Sequence, residues 1–259
     1  MNKPELLKLY DKDLREHVEY PEARKEITAD VVRFIREAPG MNFVSCTYAD
    51  QSRLDSVVKN EVAYFAPLNQ PFTWKVFDHD PLPNVGEILK SNGFVRDDNP
   101  GDVMLLDAED TPAQLLEPVT ADIRRITDPE GLKDIIFVLD NVWGGSNTWV
   151  NGRLGGHLKV PGYLSAYVAY MGDVPASIGW TYFPKGHFAT LFAGSTLSEY
   201  RKHGLYTSIL ATRVQEIRKR GYRYAVVEAG DMSKPIVQKH GFEYLTTVWD
   251  YVLEQKEKK

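Results

Sequence analysis

The chain has 259 residues, 43% of them hydrophobic, 12% aromatic and 26% charged. That is too apolar for a disordered polypeptide, and long enough for one large domain or two of about 100–150 residues. Lys+Arg 31 against Asp+Glu 36 leaves a net charge of −5, which disfavours a protein that holds nucleic acid by neutralising phosphates. The longest apolar stretches, Ile135 to Leu139 and Tyr224 to Val227, fall far short of the roughly 20 residues that span a bilayer. The first residues lack the apolar core of a signal peptide, Cys46 has no disulfide partner, and no Cys/His spacing resembles a zinc site. The expectation is a cytoplasmic protein without metal, membrane or nucleic-acid partner.

In chain order, Leu6, Leu7, Tyr10 and Leu14 recur at helical steps. Val31 to Ile35 and Met41 to Tyr48 read as strands split by a Pro39-Gly40 turn, and Ser52 to Phe65 as a helix. Phe72 to Phe77 alternates as a strand, Asn84 to Lys90 suggests a short helix stopped at Asn92-Gly93, and Val103 to Leu106 reads as a strand. Asp107 to Pro118, with its acidic residues and prolines, has the composition of a linker, which puts a boundary between 112 and 113. Beyond it come a strand Ile123 to Ile126, a helix Glu130 to Asn141, and an irregular Gly-rich stretch holding Trp143, Trp149 and His157. Strands Tyr163 to Tyr170 and Ala176 to Phe183 flank a hairpin turn, and Phe188 to Thr196 is a third strand. Helix Leu205 to Arg220, strand Arg223 to Glu228, helix Lys234 to His240 and strand Tyr244 to Leu253 complete the second half, with a frayed tail from Gln255 to Lys259. Leu89 to Phe94 and Val237 to Phe242 both end in Gly-Phe, a hint of two related halves.

The segment Ser195-Thr196-Leu197-Ser198-Glu199-Tyr200-Arg201-Lys202-His203-Gly204-Leu205-Tyr206 carries the chemistry, because there a strand feeds a helix N-terminus. Such a terminus offers unpaired backbone N–H groups and the positive end of the helix dipole to a phosphate. Gly204 permits close backbone approach, and Arg201, Lys202 and His203 add charged donors. An ordinary basic turn stopped by glycine has the same residues.

In its setting the loop resembles motif A, R/Q-x-x-G-x-G/A, of the GNAT superfamily of acyl-CoA-dependent N-acetyltransferases. Arg201 and Gly204 match, while Tyr206 stands where the general motif has Gly or Ala. The run from Gly194-Ser195-Thr196-Leu197 through Arg201 and Gly204-Leu205-Tyr206, then Ser233-x-Pro235-Ile236 and Gly241-Phe242, is similar to a two-domain bacterial branch of that superfamily. The resemblance implies a tandem GNAT-like α/β fold, each half a mixed, largely antiparallel sheet flanked by helices. It places a degenerate N-terminal domain at 1–112, which lacks the motif loop, and an acetyltransferase domain at 113–259. It further implies acetyl-CoA as co-substrate without a metal, the pantetheine arm along Ser195, Thr196 and Leu197, and the pyrophosphate on Arg201, Lys202, His203, Gly204, Leu205 and Tyr206. This strand would splay from Arg223 to Glu228, opening a cleft where a primary amine of a small molecule or peptide attacks the thioester directly.

Many members place a thiolate-protonating tyrosine five residues before the Phe of the Gly-Phe pair, where this chain has Val237. A non-catalytic acyl-CoA binder or sensor is therefore the alternative to an enzyme. Glu228 is the first candidate base and Asp231 the second. Either equally meets the need of Arg213, which falls inside the apolar face made by Leu205, Ile209, Leu210, Val214 and Ile217 and calls for a carboxylate partner. Ser233 stands where relatives have a small polar residue facing the cofactor, and equally fits the N-cap of the helix before Pro235. Trp143, Trp149, His157, Trp180 and Tyr182 either line the amine pocket or are core. The basic run Arg218-Lys219-Arg220 with Arg223 either binds nucleic acid, which the acidic whole disfavours, or answers the negative end of a helix and solvates the surface.

Overall fold

The computed structural model describes residues 1–36 and 41–254, so the Pro39-Gly40 turn and the tail from Gln255 lie outside the described residues. The chain divides into two compact units, one of Met1–Val103 with Tyr244–Lys259 and one of Met104–Glu243.

The first unit opens with α1 (Lys3–Tyr10), whose Asn2 and Glu5 form a reciprocal capping box and which runs on through a π-helical turn, Asp11–Glu16. Strands β1 (Ala23–Ile27), β2 (Val31–Arg36) and β3 (Asn42–Thr47), helix α2 (Leu54–Phe65), strand β4 (Phe72–Phe77), helix α3 (Val85–Ser91) and the short β5 (Val95–Arg96) follow. Its sheet runs β1-β2-β3-β4 and closes on β12 (Glu243–Leu253), the last strand of the chain, which pairs antiparallel with β4 from Val248↔Phe77 to Leu253↔Phe72. The core of this unit gathers Leu54, Val58, Phe65, Phe72, Trp74, Leu89 and Phe94, each large side chain contributing about 1.5–3 kcal/mol through burial.

The second unit contains β6 (Gly101–Asp107) from Met104 on, β7 (Asp122–Ile126), α4 (Leu132–Trp143), α5 (Trp149–Leu158), β8 (Leu164–Met171), β9 (Val174–Tyr182), β10 (Phe188–Thr196), α6 (Leu205–Lys219), β11 (Tyr224–Ala229) and α7 (Lys234–Lys239). Its strand order is β6-β11-β10-β9-β8-β7. β10 and β11 are parallel, and α6 supplies the helical crossover that a parallel pair needs. The remaining registered pairs of this unit are antiparallel, β8 and β9 meeting through a tight turn at Met171↔Val174.

The units repeat one plan. In the first, α2 joins the parallel strands β3 and β4 and α3 leads to the buried Phe94; in the second, α6 joins β10 and β11 and α7 leads to the buried Phe242.

Three parts of the sequence behave differently from expectation. Asp107 to Pro118 is packed rather than a linker: Leu115 is fully buried, Gln215 Nε2 donates to the carbonyls of Leu115 and Glu117 at 2.9 Å each, and Arg223 pairs with Asp107 at 2.6 Å and with Glu109. Asp107 and Glu109, two of the acidic residues that suggested a solvated connector, are partners for Arg223, and residues 112 and 113 both fall inside the second unit. The stretch after Trp143 is not all irregular, because Val150, Leu154 and His157 bury one face of α5 at steps of four and three despite its three glycines. The final strand, expected to complete the second half, falls in the first unit, where it pairs with β4.

Candidate active site

β10 and β11 share only the pairs Phe188↔Tyr224, Ala189↔Ala225 and Thr190↔Val226. Beyond them β10 continues to Thr196 and β11 to Ala229 with no further register, so the strands part and a wedge opens. On its other side β10 stays tied to β9, with a bulge between Phe192 and Ser195 that puts Ala193 at φ 51°. Ser177 Oγ donates to the Ser195 carbonyl at 2.9 Å and lies 2.8 Å from Thr196 Oγ1, and Leu197 N–H donates to the Ala176 carbonyl at 2.9 Å. The end of β10 is thus held on one edge and open on the other.

From Leu197 the chain makes a short 3₁₀ turn, Ser198–Tyr200, then crosses exposed Arg201, Lys202, His203 and Gly204 into α6. Gly204 sits at φ 78°, ψ −2°, the left-handed region where a side chain is strained. No side chain caps α6, and Ser208 N–H to Gly204 O at 2.9 Å is its first helical hydrogen bond. The N–H groups of Leu205, Tyr206 and Thr207 therefore precede the ladder, as anion-binding helix termini require. The turn before α2 is built differently, with the Asp50 carboxylate accepting from the backbone of Ser52 and Arg53 at 3.0 and 3.1 Å just ahead of a helix that likewise has no side-chain cap. Behind the loop, His240 is buried between Gln114 and Thr207, its Nε2 3.2 Å from Thr207 Oγ1, and burial lowers its pKa.

Phe188 stacks on Tyr224, so alternation places Thr190, Phe192, Val226 and Glu228 on that same sheet face. Phe192, 44% exposed at the bulge, packs edge-on against Tyr182, whose hydroxyl lies 3.1 Å from His157 Nδ1; Tyr163 closes the cluster. Trp143, 53% exposed, donates through Nε1 to Ser195 Oγ at 3.1 Å and so reaches the end of β10. Trp149 instead turns to Asn147 at 3.2 Å, and Trp180 is core. Phe192 and Tyr163 escaped the sequence reading, although alternation from Tyr182 across the hairpin register points to Phe192.

Glu228 is exposed on β11, and Asp231 is exposed in the turn that follows. Ser233 occupies the N-cap position of α7 without capping it: its hydroxyl donates to the Gly230 carbonyl at 3.1 Å. Val237 is 1% exposed and part of the core with Phe242 and Leu210, so no proton donor projects from that position. The expectation that Glu228 or Asp231 pairs with Arg213 fails. Arg213 is 2% exposed, and its Nη1 donates to the carbonyls of Trp180 at 3.4 Å and Phe192 at 3.2 Å, with no carboxylate in reach among the described residues. Burial lowers its pKa to about 10. The basic helix end is structural: Arg220 pairs with Glu216 at 2.7 Å, and Glu216 also accepts from Ser165 and Tyr167.

A second polar cluster lies in the first unit, where His79 stands between Asp11 at 3.0 Å and Thr246 Oγ1 at 2.8 Å. The order carboxylate, imidazole, hydroxyl is that of a nucleophilic triad, but Thr246 is 2% exposed, so no substrate reaches it. Among the described residues no group of three or more His, Cys, Asp or Glu is placed to hold a metal, and no helix is long and apolar enough to cross a membrane.

No protein-family model matches the chain, and neither does any curated protein. Solved structures do. A GCN5-related N-acetyltransferase from Kribbella flavida superposes with a TM-score of 0.70 at 13% identity over 96% of this chain and 93% of its own. A tandem GNAT protein from the clavulanic acid biosynthesis pathway gives 0.61 at 14% identity over 93% and 86%, and a GNAT-family acetyltransferase from Colwellia psychrerythraea 0.59 at 10% over 97% and 96%. The fold is therefore a tandem GNAT-like fold.

Proposed function

We propose that the chain is an acetyl-CoA-dependent N-acetyltransferase acting on a primary amine of a small molecule or peptide, with its site in the second unit. The observation that carries this is the parting of β10 from β11 after Thr190 and Val226, directly ahead of the uncapped start of α6. The residues suit acetyl-CoA: an open strand edge from Leu191 to Leu197 for the amides of a pantetheine arm, and the N–H groups of Leu205 to Thr207 with Arg201 and Lys202 for a pyrophosphate. Phe192, Tyr182 and Trp143 would hold the apolar part of the acceptor beside it. Glu228, on the same sheet face as Phe192, would take the proton from the ammonium; Asp231 and Ser233 stand further along the same turn. The amine nitrogen then bonds to the thioester carbon as the carbon–sulfur bond breaks, the nitrogen sheds its surplus proton to solvent, and the thiolate takes its proton from solvent, since Val237 supplies none.

Calorimetric titration with acetyl-CoA and CoA tests the site. Arg201→Glu is expected to weaken binding at least about tenfold, roughly 1.4 kcal/mol. It is a cleaner probe than Gly204→Glu, whose loss of binding would mix charge with backbone strain at φ 78°. Release of free thiol with a panel of amines tests the reaction, and Glu228→Gln should cut it while leaving CoA binding intact. The buried Val237 favours one other reading, an acyl-CoA binder without turnover, which tight binding with no thiol release for any amine would establish.

A further inference from the structure

Arg213 is the residue least explained by the fold. It lies on the buried face of α6 among Leu210, Val214 and Ile217, where an apolar side chain of similar length would pack without desolvating a charge. A buried cation without a carboxylate is costly, so its room must be provided. That room is cut from both strands. A Cβ on Gly179 of β9 would stand 2.9 Å from Arg213 Cζ and Nη1, and one on Gly194 of β10 would stand 3.4 Å from Nη2. The Gly194 Cβ would also meet the Tyr206 ring at 2.9 Å, so Tyr206 fits in the space that the bulge glycine leaves. This accounts for an aromatic side chain at a motif position that elsewhere is Gly or Ala. The phenols nearest in charge to Arg213, Tyr206 and Tyr167, both have pKa values raised by burial, so they stay neutral and leave the cation uncompensated.

We infer that Arg213 is a positioning residue of the cleft: its guanidinium fixes the Trp180 and Phe192 carbonyls where β9 and β10 pair at the bulge, and holds a positive charge beneath the strand whose opposite, open edge would carry a thioester carbonyl. This rests on the acetyltransferase reading. As the amine attacks, the carbonyl oxygen gains negative charge, and a fixed cation in a dry, low-dielectric setting stabilises that change without reorganising. Arg213 touches neither substrate; it acts through the bulge.

The test uses the full chain as Arg213→Met and Arg213→Lys. Each is assayed for acetyl-CoA affinity, thiol-release turnover, thermal midpoint, and the infrared carbonyl stretch of bound acetyl-CoA labelled with ¹³C at the carbonyl. The Met variant is expected to keep acetyl-CoA affinity within about twofold and its midpoint at or above wild type, to lose turnover on the order of tenfold or more, and to return the carbonyl stretch toward its free position. The Lys variant should recover part of both the turnover and the shift. Unchanged turnover and an unshifted stretch difference in Arg213→Met would overturn the inference. So would a Met variant that fails to fold while the Lys variant folds, since the charge would then serve the core. Wild-type binding without turnover defeats the enzyme reading, yet the stretch still decides on Arg213. Absence of acetyl-CoA binding to wild type overturns both.

Discussion

The two units each bury one arginine, and they treat it in opposite ways. Arg15, 4% exposed, is met by Asp11 at 2.7 Å and Asp80 at 2.8 Å, donates through Nε to the Ser45 carbonyl at 3.0 Å, and lies over the Phe77 ring. The two carboxylates outweigh its burial and raise its pKa. Arg213 receives only carbonyls, and burial pulls its pKa down. A paired buried arginine ties its surroundings together, whereas an unpaired one is tolerated where its charge has another use. The first ties a helix turn to two carboxylates and a strand carbonyl, the second lies beneath the strand that parts from β11.

The largest expected difference comes from removing each guanidinium. Arg15→Met strands Asp11 and Asp80 in a poorly solvated site and should cost about 3–5 kcal/mol in denaturant unfolding, while Arg213→Met should stay within about 1 kcal/mol of wild type or exceed it. Equal losses at both sites would erase the contrast. Next in size is Gly179→Ala, whose Cβ meets the Arg213 guanidinium at 2.9 Å and Ile209 at 3.0 Å, for an expected loss of about 1–3 kcal/mol. In an Arg213→Ala background the loss should shrink to the part due to Ile209, and a double-mutant cycle that shows no coupling would refute the shared-space argument.

The smallest effect is the response to acid, and it differs between the units. The folded-state pKa of His240 lies below 6.5, so the unfolded chain takes up that proton first; stability of the second unit should begin to fall as pH drops through 6.5 and level off below the folded pKa. In the first unit burial would raise the Asp11 pKa, but the hydrogen bond from His79 and the charge of Arg15 outweigh it and hold it below 3.8. The stability Asp11 gives is therefore present above that value and lost only as pH falls through the lower folded pKa. Hydrogen exchange along the chain at descending pH should show His240 and Thr207 loosening before Asp11 and His79, and His240→Gln should abolish the earlier step.

What was legible in the sequence was local. β10, α6, β11 and α7 stand within a residue or two of their expected bounds, because Gly204 and Gly221 punctuate clear apolar patterns. The apolar face of α6 was readable by period, including the presence of Arg213 on it. The partner of Arg213 was not, since charge logic asks for a carboxylate and the fold instead withdraws two side chains, at Gly179 and Gly194, from strands far off in sequence. α5 was hidden by Gly152, Gly155 and Gly156, and β1 by Arg24, Lys25 and Glu26, of which Glu26 pairs with Arg24 on its own strand and with Arg33 on β2, while Lys25 donates to the His17 carbonyl. The cluster of Asp11, Arg15, His79 and Asp80 joins segments whose sequences carry no sign of each other.

The place of β12 has a consequence for synthesis. A domain usually starts to fold as soon as its own stretch of chain has emerged from the ribosome. Here β4 finds its neighbour in residues 248–253, so its unit must wait, with one edge of its sheet unpaired, until the intervening second unit has been translated too.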